Sequence, residues 1–412
     1  MTKVQPRADI RLRSDLVLLS LDGDFVVFSE KAQCLVGLNA SAAFVLRELH
    51  AGTPHSELAH AIVSEGLAAP EEAERWVTTA IEALGSYGML ADGGTLTAAP
   101  MGTLAEDPRL EAWLMASMPR YAPFEPVKEK RYRLLGCCVA IRFAHLAQVR
   151  LVDAAIGHLA TEDPSSPSTV IDIRAATLRN GHLRSDVYRD EKPVGFAPRL
   201  SMLGPVVKSA VWQSAVNSHD FLFYIHAGVV GAGESCVLLP AAAGSGKSSL
   251  TVALIHRGFR YFSDEVALIE RTTFRVPPMP LAMCVKSTGW DLMSRYYPEI
   301  SALPVHRRED DKVVRYIPPP AGAALQPAAP VSHIIFPRFV SDVPTELRPI
   351  ARSEALGRLM GECLALRQRL DQANVSELLR WISAIEVYAL DFSSLEEGAE
   401  LIAQIVQESA KT

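Results

Sequence analysis

The run Gly244-Ser245-Gly246-Lys247-Ser248 carries the clearest chemistry in the chain. An apolar segment, 235–240, precedes it, and a helical pattern begins directly after it. Glycines let the backbone turn its N–H groups around phosphate oxygens, and the start of a helix favours anions. This order predicts a P-loop, in which Lys247 holds the β- and γ-phosphates of ATP and Ser248 ligates Mg²⁺. The predicted nucleotide-binding residues are Ala243, Gly244, Ser245, Gly246, Lys247, Ser248 and Ser249.

Two adjacent acids, Asp264 and Glu265, end the next apolar run along the chain. The carboxyl end of a strand beside a P-loop is where a Mg²⁺ ligand and a general base belong. We therefore predict that Asp264 binds Mg²⁺ together with Ser248, and that either Asp264 or Glu265 accepts the substrate proton. A polar strand end without a catalytic role is the alternative interpretation.

The elements that would position these residues fall into two regions. Residues 1–92 contain three short apolar or alternating runs and then three segments with helical spacing, the last from about Pro70 to Leu84. This order predicts a small winged-helix-like module. Residues 93–130 are predicted to form a linker, 131–225 the first part of a kinase-like region, and 226–412 the P-loop domain. The predicted fold class is thus a multidomain chain with α+β and α/β parts.

Composition excludes several functional classes. The 412 residues include 41 basic and 47 acidic side chains, for a net charge of −6, so a broadly basic nucleic-acid-binding protein is excluded. The six cysteines have no C-x-x-C spacing, which argues against zinc and for the reducing cytoplasm. No run approaches the length of about 18 to 20 apolar residues that a membrane helix needs.

The block from His226 through the P-loop to Ser263-Asp264-Glu265 resembles the HPr kinase/phosphorylase family, and most closely the HPr-kinase-related proteins of the kinase A type. The resemblance implies transfer of the γ-phosphate of ATP to a serine hydroxyl, with Mg²⁺ as cofactor and His226 near the phosphates. It implies that the second acid is the base, but Glu265 replaces an aspartate there. The family's downstream metal-binding glutamate has no counterpart in 275–286.

A charged loop, 306–316, follows at the point where HPr kinases have a mobile basic loop. The resemblance implies that this loop contributes a cation to the transferred phosphate, and Arg308, Lys312 or Arg315 could provide it. A guanidinium matches the equatorial oxygens of a phosphoryl group. A solvated charged loop is the alternative.

The N-terminal module resembles the PqqD-like domain, the recognition element for precursor peptides of ribosomally made natural products. The resemblance implies that a leader peptide adds as a strand along 33–38 and lies beside the helix 72–84. A packing or dimerisation domain is the alternative. The predicted peptide-binding residues are Gln33, Cys34, Leu35, Val36, Trp76, Val77 and Ala80.

Together these features predict a cytoplasmic, Mg²⁺-dependent kinase that phosphorylates a peptide whose leader the first module holds. We expect homo-oligomers and partner enzymes of a peptide-modification pathway, and neither a nucleic acid nor a membrane as partner. Two alternatives remain: a nucleotide-binding peptide chaperone or scaffold without phosphotransfer, and a kinase of small molecules.

Overall fold

The structure is a computed structural model that describes residues 10–31, 33–91, 108–117, 124–163, 165–177, 183–242, 244–366 and 369–409. The chain forms two compact units. The first comprises Met1–Thr103 and Pro349–Tyr388, and the second comprises Leu104–Arg348 and Ala389–Thr412. Most of the predicted linker, 93–130, falls outside the described residues.

The helices of the described part are α1 (Ala40–Ala51), α2 (Leu58–Ser64), α3 (Pro70–Ser86), α4 (Pro108–Ser117), α5 (Leu146–Ile156), α6 (Leu203–Asn217), α7 (Lys247–His256), α8 (Trp290–Met293), α9 (Arg352–Glu362), α10 (Gln372–Ser383) and α11 (Leu395–Ser409). The strands are β1 (Leu16–Leu21), β2 (Asp24–Ser29), β3 (Cys34–Leu38), β4 (Lys128–Leu134), β5 (Cys137–Phe143), β6 (Thr169–Thr177), β7 (Leu183–Arg189), β8 (Lys192–Ala197), β9 (Phe221–Ile225), β10 (Ala227–Ala232), β11 (Ser235–Pro240), β12 (Arg260–Ser263), β13 (Ala267–Glu270), β14 (Arg275–Val276), β15 (Met283–Lys286), β16 (His306–Arg307), β17 (Val313–Ile317), β18 (Ala329–Phe339), β19 (Glu346–Pro349), β20 (Cys363–Leu366) and β21 (Glu386–Phe392).

The first unit has the strands and helices that its sequence pattern predicts. β1, β2 and β3 form an antiparallel sheet in that order. Alternate residues of β3 point into the core that the sheet shares with α1, α2 and α3. Asn39 caps α1, since its Oδ1 accepts a hydrogen bond from the backbone N–H of Ala42 (2.8 Å). A relationship to winged-helix proteins stays a prediction.

The segment 349–388 belongs to this first unit, although the predicted bounds of the P-loop domain, 226–412, include it. α9 packs on β3, and a Cβ added to Gly37 would lie 2.9 Å from the carbonyl oxygen of Ser353. The Ser353 hydroxyl donates to Asp24 (2.7 Å). The Gln33 amide donates to the backbone oxygen of Leu370 and accepts from its N–H, both at 2.8 Å. These contacts join parts of the chain more than 300 residues apart, which a sequence pattern does not reveal.

The second unit contains the P-loop and a mixed sheet with the strand order β12-β10-β11-β18-β21-β19. β11 and β18 are parallel neighbours, so their carboxyl ends meet at the same edge of the sheet. α7 packs against β10 where Gly228 lies, and a Cβ there would come within 2.4 Å of Thr251 Oγ1. Glycine thus lets the P-loop helix approach the sheet closely.

In the part of the chain that the structure describes, no helix is long and apolar enough to cross a membrane.

Candidate active site

The loop between β11 and α7 forms the base of the candidate site. Gly244 and Gly246 have φ values of 98° and 88°, which glycine adopts without steric cost. A Cβ added to Gly246 would also lie 2.7 Å from Cζ of Phe392. The backbone N–H of Phe339 donates to the Ser245 carbonyl (3.0 Å) and ties the loop to the end of β18. The loop is therefore held in shape by its own glycines and by the neighbouring strand.

Lys247 and His226 lie together at this loop. Lys247 is buried, and its Nζ lies 2.5 Å from Nε2 of His226 and 3.5 Å from the carbonyl oxygen of Ala241. Burial lowers the pKa of His226, and the positive charge of Lys247 lowers it further. The imidazole is therefore neutral near pH 7 and accepts a hydrogen bond from the lysine ammonium.

Asp264 follows β12 and interacts with the start of α7. Burial raises the pKa of Asp264 to about 6, against the lowering effects of the Lys247 charge and a hydrogen bond with Ser248. Its Oδ1 atom is buried and has no hydrogen-bond partner among the described residues. A buried carboxylate oxygen of this kind, next to a serine hydroxyl, matches the oxygen ligands that Mg²⁺ prefers. Ser248 and Asp264 are therefore suited to hold the predicted ion.

No group of three or more His, Cys, Asp or Glu side chains that could hold a metal occurs among the described residues. Mg²⁺ is usually bound by one or two carboxylates plus substrate phosphates and water, rather than by an all-protein cage. Ser248 and Asp264 would then supply the protein's share of the ligands, and phosphate oxygens would complete the set.

Glu265 has a different partner, the buried Lys208 of α6. Nζ of Lys208 donates to Oε2 of Glu265 at 2.5 Å and lies 5.1 Å from the centroid of the Tyr316 ring. Burial raises the pKa of Glu265, but the positive charge and hydrogen bond of Lys208 outweigh it, and the pKa is lowered overall. Burial lowers the pKa of Lys208, but Glu265 outweighs it, and that pKa is raised. Both members of the pair are therefore charged at neutral pH.

The basic loop lies in and around the hairpin of β16 and β17. Arg308 and Lys312 line the same cavity as the loop 241–246, and Arg308 forms an ion pair with Asp310 (3.4 Å). Arg315 does not line that cavity; its guanidinium lies 4.1 Å from the centroid of the Trp290 ring. Of the three predicted phosphate-binding cations, two face the cavity and the third packs on a tryptophan.

The cavity encloses about 890 Å³ and lies within the second unit. The cations that line it are Lys247, Lys286, Arg295, Arg308 and Lys312, and the acids are Asp264, Glu265 and Glu396. Such an excess of positive charge suits a polyphosphate. The predicted nucleotide-binding residues in its lining are Gly244, Gly246, Lys247, Ser248 and Ser249. Ala243 lies outside the described residues.

Three site residues were missed by sequence reasoning: Lys208, Phe339 and Phe392. Lys208 is a lone cation in the largely apolar helix α6, and this pattern is the signal of a buried, paired charge. Phe339 and Phe392 end apolar strands, where an aromatic residue is ordinary, so no sequence signal distinguishes them.

The predicted peptide-binding residues lie in the first unit. Four of them are buried in its hydrophobic core: Cys34, Val36, Val77 and Ala80. The Gln33 side chain is buried and bonded to Leu370. Leu35 and Trp76 are half-buried and so keep part of their surface for a ligand. Contact between a peptide and any of these residues stays a prediction.

No protein-family model matches the sequence, and a search of curated proteins found no match. Among solved structures, the chain is similar to the HPr(Ser) kinase/phosphatase from Coxiella burnetii. The two share 15% sequence identity with a TM-score of 0.23, and the match covers 46% of this chain and 99% of that chain. A likeness of this size does not define the fold, so the geometry of the site carries the functional proposal.

Proposed function

We propose that this chain is an ATP- and Mg²⁺-dependent phosphotransferase that phosphorylates a hydroxyl group, a serine, of a ribosomally made peptide. One observation carries the proposal: Lys247, Ser248 and the buried Asp264 line the same cavity at the start of α7. A triphosphate bound there would meet backbone N–H groups and positive charge. In phosphoryl transfer, such positioning and charge neutralisation supply most of the catalysis.

The phosphates would lie between Lys247 at the base of the cavity and Arg308 in its wall. Lys247 would exchange its hydrogen bond with His226 for one with a phosphate oxygen. Arg308 would pair with the equatorial oxygens of the transferred group, which its planar guanidinium matches. Ser248 and Asp264 would hold Mg²⁺, which would supply positive charge beside the phosphates.

Glu265 would receive the proton of the acceptor hydroxyl. The acceptor oxygen forms a bond to the γ-phosphorus, the bond between that phosphorus and the β,γ-bridging oxygen breaks, and the proton passes to Glu265. Lys208 holds Oε2, which leaves Oε1 to accept a hydrogen bond from the hydroxyl. A low pKa keeps this carboxylate ionised, and a loose transition state needs orientation of the nucleophile more than a strong base. In this arrangement Asp264 would bind the metal ion, and Glu265 would accept the proton of the hydroxyl group.

The peptide acceptor rests on the resemblance of the first unit to leader-binding modules. Holding a leader there would raise the effective concentration of the attached serine at the second unit. Partner enzymes of the same pathway, assembly into homo-oligomers and a place in the cytoplasm belong to this proposal.

Replacement of the P-loop lysine tests the proposal. Lys247→Ala should abolish phosphate transfer to the peptide but leave the affinity for the peptide unchanged, because the leader site lies in the first unit. Retained transfer by this variant, measured as ADP release, would refute the proposed role of the P-loop.

A peptide chaperone or scaffold that binds nucleotide without phosphotransfer is the second candidate. The ion pair of Glu265 with Lys208 favours it, because a paired carboxylate of lowered pKa is a weak base. The two candidates differ in one measurement. The kinase releases ADP in proportion to phosphorylated peptide, whereas the scaffold binds ATP and peptide and leaves both intact. A kinase of small molecules would release ADP without any need for the leader.

A further inference from the structure

An exposed aromatic side chain stands at the edge of the phosphate loop. Phe339 is 51% exposed, and of the exposed large hydrophobic side chains in the described part of the chain it is the one that lines the cavity. The buried ring of Phe392 packs edge-on against it, with a centroid distance of 5.7 Å and an interplanar angle of 74°. An aromatic face that is supported from behind and open in front is suited to contact a flat ligand.

The topology places this ring beside the phosphates. Phe339 is the last residue of β18, the parallel neighbour of β11, so both strands end at the edge where the P-loop begins. The N–H of Phe339 donates to the Ser245 carbonyl, and a Cβ added to Gly246 would lie 3.4 Å from Cβ of Phe339. A nucleoside that leaves the phosphate cradle on this side meets the ring directly.

We propose that Phe339 is the stacking platform for the nucleobase of the bound triphosphate, with Phe392 as its support. This inference rests on the proposed nucleotide-binding function and names the subsite that function needs. The neighbouring Arg338 is tied to Asp391 by two hydrogen bonds of 2.7 Å, so its guanidinium is engaged. A stacked ring contacts the face of a base and not its hydrogen-bonding edge. ATP and GTP should therefore bind with similar affinity.

A second apolar wall of the cavity offers a matched comparison. Leu292 of α8 also lines the cavity and is half-buried, and it belongs to a different element from the platform. If the base lay against α8, truncation of Leu292 would weaken nucleotide binding and truncation of Phe339 would not.

Calorimetric titration of the full chain with ATP, GTP and inorganic tripolyphosphate, each with Mg²⁺, tests the platform. Phe339→Ala should weaken ATP and GTP binding about tenfold, since base stacking on an aromatic ring contributes on this order. Tripolyphosphate should bind the variant as it binds the wild type. Phe339→Tyr and Leu292→Ala should keep the wild-type affinity for ATP.

Five results would overturn the inference. One is an ATP affinity that is unchanged in Phe339→Ala. Another is a loss of ATP affinity in Leu292→Ala and not in Phe339→Ala. An equal loss of ATP and tripolyphosphate in Phe339→Ala would show that the residue only shapes the phosphate loop. A wild-type chain that binds tripolyphosphate as tightly as ATP would refute the platform and leave the phosphate site intact, whereas one that binds neither would refute the proposed function as well.

Discussion

Nζ of Lys208 lies 2.5 Å from Oε2 of Glu265, although the two residues are 57 positions apart in the chain. Lys208 is buried and Glu265 is half-buried at the cavity wall. A buried charge left without its partner costs about 3–5 kcal/mol, so the two side chains stabilise each other only as a pair. The ion pair with Lys208 therefore fixes one carboxylate oxygen of Glu265 at the wall of the cavity.

Loss of the lysine charge should change the pH dependence of catalysis. Lys208 lowers the pKa of Glu265, so Lys208→Met should raise that pKa and move the acid limb of the kcat against pH profile to higher pH. Lys208→Arg keeps the charge and should move the limb less. Steady-state rates across the pH range provide the measurement, with thermal unfolding as a check that each variant folds. An unmoved limb in a folded Lys208→Met variant would contradict the role given to Glu265.

The buried carboxylate of Asp264 should lower the stability of the protein at neutral pH. Its pKa is about 6 in the folded chain, against 3.8 for an unperturbed aspartate, so the folded state holds the proton more tightly than the unfolded state. The free energy of unfolding therefore falls as pH rises from about 4 to 6, because ionisation of the buried group then favours unfolding. Asp264→Asn removes this loss and should stabilise the ligand-free chain at pH 8 by up to about 3 kcal/mol.

Denaturant unfolding at pH 4 and pH 8 measures this effect, and the gain of Asp264→Asn should be small at pH 4. The same variant should lose most of the difference in ATP affinity between Mg²⁺ and EDTA buffers, because it lacks the carboxylate that would hold the ion. A variant destabilised at pH 8, or one with full Mg²⁺ dependence, would argue against this assignment.

Arg308 and Arg307 are adjacent and form a matched pair for testing the basic loop. Both are half-buried and form ion pairs with aspartates, Arg308 with Asp310 and Arg307 with Asp311, but only Arg308 lines the cavity. Arg308→Lys should lower kcat about 100-fold or more, because a lysine does not reproduce bidentate contact with a phosphoryl group. Arg307→Lys should change kcat less than about twofold. An unchanged kcat for Arg308→Lys in rapid-quench assays would show that the loop acts only through its net charge, since lysine keeps that charge.

The first unit should recognise the leader through its partly exposed surface. Trp76 is half-buried on α3, so Trp76→Ala should weaken binding of a fluorescent leader peptide about tenfold. Trp113 of the second unit is 55% exposed, and Trp113→Ala provides a control that should leave the affinity unchanged. Point variants are preferable to removal of residues 1–92, since that deletion would strip 349–388 of its packing partner. Unchanged leader affinity in Trp76→Ala would argue for a packing role of the unit.

Local patterns predict the elements that surround the proposed phosphate site. The strand 235–240 and the helix that starts at Lys247 match the structure, because a short apolar run and a glycine-rich turn specify their own geometry. The three strands and three helices within residues 10–91 match the sequence pattern for the same reason. Asp264 and Glu265 could be placed beside the P-loop, but their separate surroundings could not be distinguished.

Contacts between residues that are far apart in the sequence could not be predicted from local patterns. Glu265 meets Lys208, and Gln33 meets Leu370, across distances in sequence over which spacing carries no information. Arg315 belongs to the same charged loop as Arg308, yet its position on β17 pairs it opposite Val285 and lets it stack on Trp290. The pairing of β17 with β15, which the sequence pattern does not reveal, therefore determines that Arg315 does not line the cavity, whereas Arg308 does.

Transfer of phosphate to a peptide tests the central claim most directly. The full chain should be incubated with ATP, Mg²⁺ and synthetic peptides encoded by the short reading frames beside its gene, and the intact mass of each peptide measured. The account predicts that one peptide gains a single phosphate on a serine, only with Mg²⁺ and not with the Lys247→Ala variant. Tight binding of ATP and peptide with no change in peptide mass would contradict it.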